Sequence, residues 1–226
     1  GGGGGDSASG ATGGDSGIRL YCGGDEPNAW CALCQGHGES DGDAPTTLTH
    51  WIEDIESACA HALNGGDPAP TRLLLVGYSL GGLAAAHAAA RHPAGKAGLV
   101  LLAPGLGLLE RLRSYDRGGG SLSLPSSYVA EGSLSVGREL LEDLEKFPTD
   151  AEVAKALHLP TLLVHGEADD VVAFKLAAAF SRQLADNRLL SVAASEGGDH
   201  RLNAPIDTIM EEIEAWMPRV LGAAPS

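Results

Sequence analysis

From Ile18 onward, short unbroken apolar runs alternate with stretches whose apolar residues recur every three or four positions. Apolar runs of strand length fit strands buried on both faces, whereas a 3.6-residue period marks a helix with one buried stripe. "IRLYC" (18–22), "WCALC" (30–34), "TRLLLVG" (71–77), "KAGLVLLAP" (96–104), "PTLLVHG" (160–166) and "RLLSVAA" (188–194) read as strands. In "TLTHWIEDIESACAHAL" (47–63), Leu48, Trp51, Ile52, Ile55, Cys59 and Leu63 share one helical face, and Thr47 is suited to cap it. "LGGLAAAHAAARH" (80–92), "VAFKLAAAFSRQLA" (172–185) and "IDTIMEEIEAWMPRVL" (206–221) read as further helices.

Alternating strands and helices imply an α/β domain with a mostly parallel sheet and helices on both faces. Residues 105–157 break the rhythm. They hold a Gly- and Ser-rich stretch, "RGGGSLSLPSSYVAEGSLS", followed by the helical patterns "RELLEDLEKF" and "DAEVAKAL". That segment is expected to be a cap inserted into a single domain spanning 18–226. Residues 1–17, GGGGGDSASGATGGDSG, carry too little apolar surface to pack and are expected to form a disordered tail. As written, the tail has neither the apolar core of a signal peptide nor the arginines of a transit peptide.

The net charge of −15 sets the chain against phosphate backbones, so nucleic acid is not an expected partner. No apolar run approaches the roughly 18 residues of a membrane helix, so no stable membrane insertion is expected. Of Cys22, Cys31, Cys34 and Cys59, the pair Cys31 and Cys34 forms C-x-x-C. A buried strand with thiols as small fillers is the favoured reading of "WCALC"; a disulfide and a zinc site are the alternatives.

"VGYSLGG", Val76 to Gly82, contains Gly-x-Ser-x-Gly centred on Ser79. In a chain this rich in glycine, chance produces such a pattern with odds of roughly one in three, so its context has to decide. A strand enters the motif and a small-residue helix leaves it. That placement lifts a serine hydroxyl to the sheet edge and turns the N–H of Leu80 toward the place where an oxyanion would form. A serine nucleophile needs a base. His200, in the polar loop "SEGGDHRL", can be carried over the sheet edge, while His50, His61, His87, His92, His158 and His165 lie in or beside regular elements. The base needs a carboxylate, and "LLVHGEADDVV" offers Asp169 and Asp170 just after a strand. Serine, aspartate and histidine then each follow a separate strand.

This order resembles the α/β-hydrolase family. "HGEADDVV" is similar to the family's H-G-x-x-D-x-x-V, with Asp169 in the acidic slot and Val172 in the apolar one; Asp170 and Glu167 are then solvated turn or cap residues. "GHGESDG" (36–42) resembles the G-H-G-x-S-D-G turn of family esterases, which makes His37 a structural turn residue. With "TLTHW", "LPSSYVAEG" (124–132) and "GDHRL" (198–202), the resemblance narrows to a branch of palmitoyl-protein thioesterases and acyl-glucuronide esterases. It covers about residues 30–221.

The resemblance implies an acyl-enzyme mechanism with Ser79, Asp169 and His200 as catalytic residues and no metal or organic cofactor. The substrate is an acyl thioester or ester on a small molecule or lipidated protein. It also implies a mitochondrial location, with the cytoplasm as the alternative. Leu106, Leu108 and Leu109 are candidates for an acyl pocket and equally for simple packing. One departure stands out: the seven residues Gly23 to Ala29 between "IRLYC" and "WCALC" leave no room for a crossover helix. Cys22 to Gly24, with the Gly23 N–H, is the candidate second oxyanion donor; otherwise the family's oxyanion loop is absent here. A non-catalytic binding protein and a monoacylglycerol-lipase-like esterase are the other functional readings.

Overall fold

The computed structural model describes residues 18–22, 29–32, 47–64, 72–125 and 132–221. The tail, the "GHGESDG" turn with His37, Gly23 and Cys34 lie outside them.

A six-stranded sheet runs β2 (Ala29–Ala32), β1 (Ile18–Cys22), β3 (Leu73–Tyr78), β4 (Lys96–Leu102), β7 (Thr161–Gly166), β8 (Asn187–Val192). The strands β3, β4, β7 and β8 are parallel. β1 is antiparallel to both of its neighbours. The short link from Cys22 to Ala29 can make a hairpin but not a crossover, and this reverses the direction at that edge.

Strand alternation divides the buried residues between two layers. Leu73, Leu75, Leu99, Leu101 and Leu163 face α1 (Leu48–Asn64), α2 (Ser79–Arg91) and α6 (Phe174–Ser181). Leu74, Val76, Val100, Leu162 and Val164 face α7 (Ile206–Leu221), which contributes Ile209, Ile213, Trp216 and Val220. Gly98 leaves room for this packing: a Cβ there would lie 3.1 Å from the Trp216 ring. α1 buries Leu48, Trp51, Ile52, Ile55, Cys59 and Ala62, while Leu63 is only partly buried. Thr47 Oγ1 accepts the His50 N–H and caps the helix.

Between β4 and β7 lie α3 (Leu108–Tyr115), the hairpin β5 (Ser121–Pro125) and β6 (Ser133–Gly137), α4 (Arg138–Leu144) and α5 (Asp150–Ala156). The hairpin is an addition to the sequence expectation. Its signal is the Ser-Leu-Ser-Leu alternation, which buries Leu122 and Leu124 and exposes Ser121 and Ser123. Two polar clips hold this segment to the body. Asp143 of α4 accepts both the Thr49 N–H and its hydroxyl at 2.8 Å, satisfying an open donor in the first turn of α1. Arg111 of α3 donates to the carbonyls of Val171 (2.9 Å) and Pro125 (3.2 Å), tying the hairpin to the loop after β7.

Candidate active site

The turn from β3 into α2 is tight because two backbone segments touch. A Cβ at Gly77 would fall 2.6 Å from the Gly81 carbonyl and 2.7 Å from Gly82 Cα. Ser79 sits at φ 51°, a left-handed conformation that costs a non-glycine residue about 1–3 kcal/mol. The Gly105 N–H holds its carbonyl at 2.8 Å. This strained elbow presents Ser79 Oγ at the C-terminal edge of the sheet. It also leaves the Leu80 N–H in the first turn of α2, where backbone donors have no intrahelical acceptor.

A second close approach builds the other half of the site. Cβ atoms at Gly166, the last residue of β7, and Gly198, after β8, would collide with the Gly198 and Val192 carbonyls respectively. The two loops are further joined by Ala168 N–H to Gly198 O at 2.9 Å and Glu167 N–H to Val192 O at 2.8 Å. Two neighbouring glycine positions thereby bring the loop carrying Asp169 against the loop carrying His200.

Ser79 Oγ lies 2.9 Å from His200 Nε2, and His200 Nδ1 lies 2.8 Å from Asp169 Oδ2. The serine and histidine are 121 residues apart in sequence. Asp169 is enclosed: its Oδ1 accepts the N–H groups of Val171 (2.8 Å) and Val172 (2.7 Å). Burial pushes the Asp169 carboxyl up. Hydrogen bonds from His165, His200 and the Val172 backbone outweigh it and hold the group well below the usual carboxylate range. An ionised Asp169 accepts from His200 Nδ1–H, which leaves the Nε2 lone pair directed at Ser79. Tyr78 donates its hydroxyl to the His200 carbonyl at 3.0 Å, with its ring 5.6 Å from the imidazole. Burial, with the charges of Asp169 and Asp199, pushes the Tyr78 hydroxyl up to about 12, so it keeps its proton and remains a donor.

The remaining candidates fall in different places. Asp170 and Glu167 are exposed, and Val172 is buried. Gly23 lies outside the described residues. Leu106 is only 4% exposed and packs in the core, while Leu108 and Leu109 are partly buried. Leu108 and Leu109 line a cavity of about 30 Å³ with Leu83, His87 and Phe147, roughly the room for one water. His50, His61, His92 and His158 are exposed, and His87 is buried. The sequence reading missed the part taken by His165, which is fully buried at 3.1 Å from Asp169 Oδ2. It also passed over a second Gly-x-Ser-x-Gly, Gly38 to Gly42, which lies outside the described residues. Among the described residues no group of three or more His, Cys, Asp or Glu side chains could hold a metal ion.

Comparisons with known proteins agree with this architecture. Residues 31–122 match the family described as "Serine aminopeptidase, S33". Est1E from Butyrivibrio proteoclasticus, solved with ferulic acid bound, superposes with a TM-score of 0.73 at 21% identity, over 87% of this chain and 78% of that one. Alpha/beta hydrolase domain-containing protein 10 from mouse gives 0.68 at 24% identity, covering 85% and 79%. A monoacylglycerol lipase from Paleococcus ferrophilus gives 0.61 at 18% identity, covering 83% and 81%. No curated protein sequence matches the chain. The chain has the α/β-hydrolase fold.

Proposed function

We propose that the protein is a serine hydrolase that cleaves carboxylic esters or acyl thioesters through an acyl-enzyme on Ser79. The observation that carries the reading is the continuous hydrogen-bonded line from Ser79 Oγ through His200 to Asp169. The matches to a serine aminopeptidase family and to esterase and lipase folds support it.

The chemistry follows from the geometry. His200 Nε2 takes the hydroxyl proton as Ser79 Oγ attacks the acyl carbon. The carbonyl oxygen becomes an oxyanion beside the Leu80 N–H, with the Gly23 N–H as the proposed second donor. Removing one such donor typically costs about 100- to 1000-fold in turnover, so this pairing bears directly on rate. His200 then protonates the departing alcohol or thiol as the tetrahedral intermediate collapses to the acyl-enzyme. Water enters and gives its proton to His200, and a second collapse frees the acid and restores Ser79. Asp169 stabilises the imidazolium formed in both halves.

The finer reading is a palmitoyl-protein thioesterase or acyl-glucuronide esterase, supported by the sequence resemblance of "LPSSYVAEG", "TLTHW" and "GDHRL". In that reading Leu108 and Leu109 contribute to the acyl side of the site. A monoacylglycerol esterase is the second reading, motivated by the Paleococcus neighbour. One substrate panel separates them: a p-nitrophenyl ester, a palmitoyl thioester, an acyl-glucuronide, a monoacylglycerol and an aminoacyl amide. Turnover of the first, with the palmitoyl thioester or acyl-glucuronide preferred among the others, is the expected outcome. Preference for the glyceride or the amide overturns the finer reading. Ser79→Ala should reduce every activity by about 1000-fold or more with the fold intact. Folded wild-type protein inert on the whole panel would instead favour a binding protein.

A further inference from the structure

The carboxylate that orients His200 is held by a second imidazole. His165, the penultimate residue of β7, has its side chain wholly buried, and its Nε2 lies 2.8 Å from the Val172 carbonyl and 3.1 Å from Asp169 Oδ2. Both neighbours are acceptors, because a backbone carbonyl has no proton to give and Asp169 is ionised. Nε2 must therefore carry the hydrogen. Nδ1 of the same ring is buried with no hydrogen-bond partner among the described residues, so a proton placed there would meet no acceptor among them. The surroundings thus select one tautomer of His165, a fixed donor with its hydrogen shared between Val172 O and Asp169 Oδ2. The Phe174 ring, 6.2 Å from the imidazole, packs against it.

Asp169 Oδ2 consequently receives two imidazole N–H groups, from His165 and from His200, while Oδ1 receives two backbone N–H groups. We propose that His165 is a positioning residue for the triad. Its Nε2–H pins Asp169 Oδ2 in line with His200 Nδ1 and withdraws part of the carboxylate's charge from that contact. It touches neither Ser79 nor substrate in this role. The backbone bonds fix Oδ1 alone, and without His165 the Oδ2 side is held only by the histidine it is meant to orient. The inference rests on the proposed serine-hydrolase reading, since an oriented His200 matters only if Ser79 is activated.

Two neutral polar variants test it. The amide nitrogen of His165→Gln falls near the place of Nε2 and can still reach Asp169; that of His165→Asn stops one bond short. Both variants are polar side chains placed in the same buried site. The first readout is the rate at which a fluorophosphonate labels Ser79. The second is the far-downfield proton resonance of His200 Nδ1–H. His165→Gln should label close to the wild-type rate. His165→Asn should label roughly 10- to 100-fold more slowly, the loss expected for a hydrogen bond to a charged group, with the resonance displaced and the melting curve still cooperative. For ester hydrolysis the loss should fall on kcat rather than KM. Equal labelling of the two variants overturns the inference while leaving Ser79 as nucleophile. A folded wild-type protein that is not labelled overturns the serine-hydrolase reading and this inference with it. If neither variant folds, the wild-type resonance decides: coupling of the Asp169 carboxylate to two imidazole N–H protons supports the inference, and coupling to one alone overturns it.

Discussion

Three single residues, His87, Asp150 and Asp169, bear on the behaviour of this molecule in acid. His87, on the buried face of α2, is pulled down to about 4, first by burial and then by the nearby Arg91 charge. The Phe147 ring meets it edge-on at 5.3 Å, and Asp150 and Glu110 line the adjoining cavity. In the unfolded chain the same imidazole titrates near 6.5. Between those values the unfolded state binds a proton that the folded state refuses. Stability from this group is therefore complete above pH 6.5 and is lost as the pH falls to about 4, by up to about 3 kcal/mol. Asp150, raised by burial, works with the opposite sign, because its folded form takes up a proton more readily. Asp169, held below the usual range, contributes stability above the ordinary carboxylate pKa and loses it only in stronger acid. The fold should weaken before the triad carboxylate titrates. Urea midpoints compared at pH 7 and pH 4.5 should fall clearly for the wild type and much less for His87→Gln. An equal fall in both would remove His87 as the cause.

At the scale of elements, the site depends on where backbones touch. Gly166 and Gly198 let the ends of β7 and β8 close on each other, and Gly77 does the same for β3 and α2. Gly198→Ala should force the His200 loop away from Asp169. Activity should then drop by more than tenfold, and the melting temperature should fall as well, because Gly198 is buried and Leu202 of the same loop packs in the layer under α7. Parallel losses in a Gly166→Ala variant would place the effect at the shared contact. Unchanged activity in both would show that the loops tolerate separation. The central strands were legible in the sequence because β3, β4 and β7 are apolar on both faces, and α1 was legible because its stripe keeps the helical period. Alternation does not encode which way β1 runs; the short link that leaves no room for a crossover carried the signal for it. The hairpin β5–β6 went unread because glycines and serines around it outweighed four residues of clean alternation. Ser79, Asp169 and His200 stood out because each follows a strand. His165 did not, because its meeting with Asp169 depends on how the turn after β7 folds back.

On the scale of the whole chain, one sheet serves two cores and one edge. The layer under α7 and the layer under α1, α2 and α6 fix the strands, and the strand ends then place three distant loops at one rim. The segment between β4 and β7 is tied to the start of α1 through Asp143 and to the loop after β7 through Arg111. The most direct test of this account is a fluorophosphonate adduct mapped by mass spectrometry on the folded protein. A single adduct on the peptide containing Ser79, absent from Ser79→Ala, is the predicted result. Folded protein carrying no adduct, or one on Ser40 of the second Gly-x-Ser-x-Gly instead, would contradict it.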